Sequence, residues 1–109
     1  MKIKSRIWLE KDGHPVLGFG RIKLLKKIDE TKSINAAAKE LNMSYSKAWK
    51  LVRDINKYVK EPVIIKNIGG KNGGGTELTS YGRNLITVFE EINKNCEIFL
   101  QKELKKMDL

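Results

Sequence analysis

"SINAAAKELNMSYSKAWKLVRDINKYV", Ser33 to Val59, is the stretch whose reading decides the fold. It opens on Ser33, a good helix N-cap, and the three alanines Ala36, Ala37 and Ala38 allow close approach of a second helix. Asn42 follows the first short helix and tolerates the left-handed backbone that a tight turn needs. Ser44 then caps a longer helix running to about Val59. Its inward stripe is Ala48, Leu51, Val52, Ile55 and Val59, while Ser46, Lys47, Lys50, Arg53 and Lys57 lie elsewhere. Two helices joined by a three-residue turn, the second with an exposed face of donors and cations, form the helix-turn-helix pattern over about 33–59. An ordinary helical hairpin within a bundle fits the same spacing, so the flanking segments have to decide.

Downstream, Pro62 blocks continuation of the helix, "VIIKNI" reads as a strand and "TEL" as its return. Between them Gly69–Gly75 hold five glycines in seven residues. This is not a phosphate-binding nucleotide loop, which requires lysine directly after the last glycine where Gly75 stands. Nor do Gly70, Gly73 and Gly74 have the dinucleotide-binding spacing. Two strands with a glycine-rich tip directly after a helix-turn-helix make a wing over about 63–78. Lys71 and Asn72 at its tip are donors suited to the phosphate oxygens of a duplex. A hairpin tip with no partner is the alternative.

Working outward again, Ile3, Ser5, Ile7 and Leu9 share one side in period two, followed by an Asp12-Gly13 turn and "PVLGF", which predicts an N-terminal β-hairpin. Arg21–Glu30 has Ile22, Leu24, Leu25 and Ile28 at helical spacing. At the other end, Thr79 caps a helix over about 80–107. Leu85, Phe89, Ile92, Cys96 and Phe99 recur in steps of four and three, widened by Ile86, Leu100, Leu104 and Met107. Covering the domain's own core accounts for Leu85 and Phe89; a stripe reaching Met107 suits a two-fold dimer. The expected interface residues are Leu85, Phe89, Ile92, Cys96, Phe99 and Leu100. The fold class expected is α+β, mostly α, in a single domain of 109 residues.

Charge narrows the partner. The net charge is +9, and residues 1–60 hold 15 Lys/Arg against 6 Asp/Glu, while residues 61–109 hold 7 of each. A basic excess that belongs to the N-terminal part suggests a polyanion, although a lysine-rich solvated surface has the same composition. No apolar run is long enough to span a bilayer, and the start lacks a signal-peptide core, so no membrane partner and a cytoplasmic location are expected. Cys96 is the lone cysteine and reads as a small apolar residue. One cysteine and one histidine, His14, make no metal site, and no catalytic set or cofactor motif occurs, so an enzyme is not expected.

"SINAAAKELNMSYSKAWKLVRDIN" followed by "GGKNGGGTELTSYG" resembles the N-terminal DNA-binding domain of the molybdate-dependent transcriptional regulators of the ModE type, relatives of the LysR-type winged helix-turn-helix proteins. The resemblance runs from about Gly20 to Phe89, and Asn42 stands where the turn often has glycine. It implies a winged helix acting as a homodimer on a palindromic operator. The C-terminal molybdate-binding domains of such regulators have no counterpart before Leu109, so direct molybdate binding is not expected.

The expected partner is double-stranded DNA, with the helix from Tyr45 in the major groove. Ser44 and Ser46 suit phosphates, Lys47 and Lys50 suit guanine edges, and Arg53 suits the backbone. Tyr45 suits a thymine methyl, a phosphate, or packing against the preceding helix; Trp49 packs or flanks the groove. Two other classes share these features: a protein-interaction winged-helix module and a nonspecific architectural DNA-binding protein.

Overall fold

The computed structural model describes residues 1–67 and 75–109. In chain order these are β1 (Leu9–Lys11), β2 (His14–Leu17), α1 (Phe19–Thr31), α2 (Ile34–Glu40), α3 (Tyr45–Tyr58), β3 (Ile64–Asn67), β4 (Gly75–Leu78) and α4 (Ser80–Leu104), with a 3-10 turn at Lys105–Met107. β1 and β2 form one antiparallel hairpin, and β3 and β4 form another with Ile64 opposite Leu78 and Lys66 opposite Thr76. The architecture is a winged helix: α1 to α3 around one core, a β-wing after α3, and a long closing helix.

Local chemistry sets the element ends. Ser33 Oγ accepts from the Ala36 amide at 3.0 Å and Ser44 Oγ from the Lys47 amide at 3.1 Å, each satisfying a donor that the first turn of a helix leaves free. Between them the chain makes a Schellman turn. Met43 N donates to the Ala38 carbonyl at 2.9 Å and Asn42 N to the Lys39 carbonyl at 3.1 Å, with Asn42 left-handed at φ 55°. Asp12 (φ 50°) and Gly13 (φ 80°) give the hairpin turn the positive φ pair that matches strand twist. α1 begins at Phe19, two residues ahead of Arg21, because extended Gly18 offers its carbonyl to the Ile22 amide at 2.9 Å.

The core is made where these elements meet. Leu24, Leu25 and Ile28 of α1 pack with Ala37 and Ala38 of α2 and with Ala48, Val52 and Ile55 of α3, all fully buried. The alanines leave room for the neighbouring helices, as their small size predicts. Val63, Ile64 and Leu78 close the core from the wing side. The wing is also fixed to the α1–α2 corner, since Thr76 N donates to the Lys32 carbonyl at 2.9 Å.

α4 is joined to the wing's root by Thr79. Its amide donates to the Val63 carbonyl at 3.0 Å, its hydroxyl donates to the Pro62 carbonyl at 2.8 Å, and the same oxygen accepts from Gly82 N at 2.9 Å. Further along, Lys26 pairs with Glu90 at 2.9 Å and Arg83 with Asp29 at 3.2 Å, linking α1 to α4. Desolvation pushes the Asp29 carboxyl up, but hydrogen bonds from Arg83 and Lys32 outweigh it and hold it below the ordinary carboxylate value.

The N-terminal hairpin is shorter than the alternation of Ile3, Ser5, Ile7 and Leu9 predicts. β1 starts at Leu9, and residues 1–8 carry no strand assignment. Their alternation is nonetheless expressed: Ile3, Ser5 and Ile7 are partly covered and Lys2, Lys4, Arg6 and Trp8 are exposed. Part of the cover comes from α4. Ile3 N donates to Gln101 Oε1 at 3.3 Å, Gln101 Nε2 donates to the Ile3 carbonyl at 2.6 Å, and Cys96 Sγ lies 3.9 Å from Ser5 Oγ. These residues form a strap along the distal half of α4. The helix expected to reach about residue 107 tightens into the 3-10 turn at Lys105 and ends at left-handed Asp108 (φ 48°).

No helix among the described residues is long and apolar enough to cross a membrane. No group of three or more His, Cys, Asp or Glu among them is placed to hold a metal ion.

Candidate nucleic-acid interface

α3 is held by one face and free on the other. Ala48, Val52 and Ile55 anchor it to α1 and α2, and the opposite side carries Ser46, Trp49, Lys50, Arg53 and Lys57. These recur at i, i+3, i+4, i+7 and i+11, the spacing of a single helix face. Lys47 is displaced from that row by about a quarter turn, given 3.6 residues per turn. Ser44, Tyr45, Ser46, Lys47, Lys50 and Arg53 are all exposed. Among the described residues no carboxylate pairs with Lys47, Lys50 or Arg53.

The leading end of α3 is open as well. Tyr45 is 47% exposed, so part of its ring is open to contact from outside. Ser44 Oγ is engaged as an acceptor by the Lys47 amide, so its hydroxyl hydrogen is what remains to offer a phosphate oxygen. Chemically, the face can give hydrogen bonds and positive charge to an anionic surface, from the open helix end to Arg53 about two turns on. Lys71 and Asn72 at the wing tip lie outside the described residues.

Two residues of this surface take a relation that the sequence reading missed. The Lys66 ammonium sits 4.6 Å from the centroid of the Trp49 ring. Strand periodicity contains the signal: Lys66 shares a face with Ile64, which is buried against the helices, so it points toward α3.

With that geometry established, comparison with known proteins identifies its kind. Residues 19–83, from the start of α1 into the first turn of α4, match the family model of the bacterial regulatory helix-turn-helix proteins, lysR family. The chain belongs to the lysR family. This is a family of DNA-binding regulatory domains rather than of enzymes. The chain is similar to the Molybdenum transport protein ModE of Azotobacter vinelandii, at 36% identity over 94% of this chain and 37% of the relative. It is 42% identical to the Transcriptional regulator ModE of Haemophilus influenzae over 71% of this chain and 30% of that protein. It is 39% identical to the DNA-binding transcriptional dual regulator ModE of Escherichia coli over 64% of this chain and 27% of that protein. The chain thus spans about a third of the length of these relatives. The resemblance to the DNA-binding domain of ModE-type regulators holds over the helix-turn-helix and the wing.

The lysR-family model ends at residue 83, and the residues expected at a dimer interface lie beyond it. The structure divides them. Phe89 is only 8% exposed and belongs to the protomer's own core, with exposed Phe19 edge-on to it at 6.1 Å between centroids and Leu85 partly buried beside that core. Cys96 and Leu100 are half-covered on the distal half of the helix, where the strap runs. Ile92 (54% exposed) and Phe99 (58%) face outward, joined by Val88, which the sequence stripe did not include. Val88, Ile92 and Phe99 are spaced by four and seven residues and so share one helix face.

Proposed function

We propose that this chain is the DNA-reading part of a transcriptional regulator that binds a specific double-stranded site as a homodimer. α3 enters the major groove with its open end leading, and the wing lies on the flanking backbone. Lys50 donates to base edges, with Lys47 beside it; Ser44, Ser46 and Arg53 meet phosphate or sugar, and Tyr45 meets a methyl or a phosphate. Lys71 and Asn72 follow the backbone from the wing tip. The single observation that carries this reading is the outward face of α3, cationic, exposed and, among the described residues, without carboxylate partners. It is supported by membership of a regulatory helix-turn-helix family and by similarity to the DNA-binding transcriptional dual regulator ModE of Escherichia coli.

Val88, Ile92 and Phe99 supply the apolar stripe for the two-fold partner, which makes the preferred site a palindrome. The test is selection of bound duplexes from a random pool by the purified protein. A recovered inverted repeat is the expected result. Salt-dependent binding with no recovered motif would assign the chain to architectural binding, and no duplex binding at any salt would assign it to protein interaction. Adding molybdate to the selection is expected to leave the recovered site unchanged for this stretch of chain.

A further inference from the structure

The contact between Lys66 and Trp49 joins the wing's first strand to α3. Lys66 stands on β3, the wing's first strand, opposite buried Thr76 and on the same face as Ile64. A lysine at such a position has a flexible four-carbon stem and strong hydration, both of which favour swinging the ammonium into bulk water. Here the ammonium lies instead 4.6 Å from the Trp49 ring centroid, within the range where the ring quadrupole attracts a cation. Trp49 is 37% exposed, so it is not simply a core residue, and it lies on the same outer face of α3 as Lys50 and Arg53. No carboxylate among the described residues pairs with Lys66.

From this geometry we infer that Trp49 is a positioning residue: its indole holds the Lys66 ammonium at the flank of α3, so that helix and wing root present one continuous cationic edge to a single run of phosphates. The inference rests on the duplex-binding reading and deepens it. An indole face attracts the cation without neutralising it, which a carboxylate would do. The full positive charge of Lys66 therefore remains available to the nucleic acid while its conformational freedom is already reduced before binding.

The test separates holding from touching. In the free protein, the side-chain methylene protons of Lys66 should show upfield ring-current shifts by NMR. These should disappear in Trp49→Leu, which keeps apolar bulk without the π face, and persist in Trp49→Phe. In duplex titrations across salt, Lys66→Ala should lower the slope of log affinity against log salt by about one. Trp49→Leu, although it removes no charge, should also reduce the slope and weaken binding roughly threefold, the scale of an exposed cation–ring contact. Trp49→Phe should restore most of both, and Trp49→Leu combined with Lys66→Ala should bind no more weakly than Lys66→Ala alone. Additive losses in the double variant, or an unchanged slope in Trp49→Leu, would overturn the inference and leave Trp49 as an independent contact. A wild-type protein with ring-current shifts but no duplex binding would instead overturn the functional reading on which it rests.

Discussion

A methyl group added to Gly82 would lie 2.5 Å from the Val63 carbonyl oxygen, closer than real Cβ atoms approach backbone. That carbonyl is also the acceptor for Thr79 N, so it cannot retreat without loosening the start of α4. Gly82→Ala is therefore expected to destabilise the fold by about 1–3 kcal/mol, the usual range for overpacking, measured by denaturant unfolding. The glycine is required for close approach and not for an unusual backbone angle. At the reading surface, Lys50→Ala is expected to cost roughly 1–3 kcal/mol at the preferred duplex and to relax base preference there. A titration at fixed salt checks it, and unchanged specific binding would show that α3 is set in the groove in a different register. Residue-scale chemistry was readable where it is local. Ser33, Ser44 and Thr79 cap helices and Asn42 takes the left-handed turn because each acts on backbone within a few residues. Gly82 was not readable in this way, since its reason is Val63, distant in sequence, and strand periodicity turns Lys66 toward α3 without naming Trp49 as what it meets.

At the scale of elements, the helix pair and the two strands after it follow from periodicity and punctuation: α2 and α3 are succeeded by β3 and β4. The N-terminal segment shows the limit of that method. Alternation at Ile3, Ser5 and Ile7 states that one side is covered but not by what, and α4 contributes part of that cover to residues the alternation assigned to a strand. The stripe on α4 shows the same limit, because helical spacing cannot separate Phe89, which serves the protomer's core, from Ile92, which faces out. The contact between α1 and α4 carries a pH dependence. Asp29 is held below the ordinary carboxylate value by Arg83 and Lys32 despite some desolvation, so it stabilises the folded state when ionised. That contribution is present above the unfolded value of about 4 and is lost as pH falls through the lower folded value. Thermal unfolding of Asp29→Asn should accordingly lie below wild type at pH 7 and converge toward it in acid, as pH falls through the folded-state value of Asp29, and a constant gap would show that the carboxylate's charge is not what matters.

For the whole molecule, the distribution of function along its length matters more than its fold. The Cα principal extents are 61 × 28 × 23 Å, and much of the long axis is α4, whose 25 residues span about 37 Å at 1.5 Å each. Cations on α3 and an apolar stripe on α4 thus lie on different elements of the chain, a separation that the proposed two-fold binding to a palindrome needs. Replacing Ile92 and Phe99 together by glutamate is expected to give a monomer in sedimentation velocity and to remove cooperative binding to the paired site, with single half-site binding retained at about its original strength. An unchanged sedimentation coefficient would place the two-fold contact elsewhere.

The strap formed by residues 1–8 gives the far end of α4 much of what tertiary support it has, through the paired amide bonds of Gln101 with Ile3. Fraying of the chain's beginning is therefore also fraying of its end. Trimming the protein to begin at Leu9 should let backbone amides beyond Asn93 exchange with deuterated solvent many times faster, while those ahead of Phe89 keep their protection.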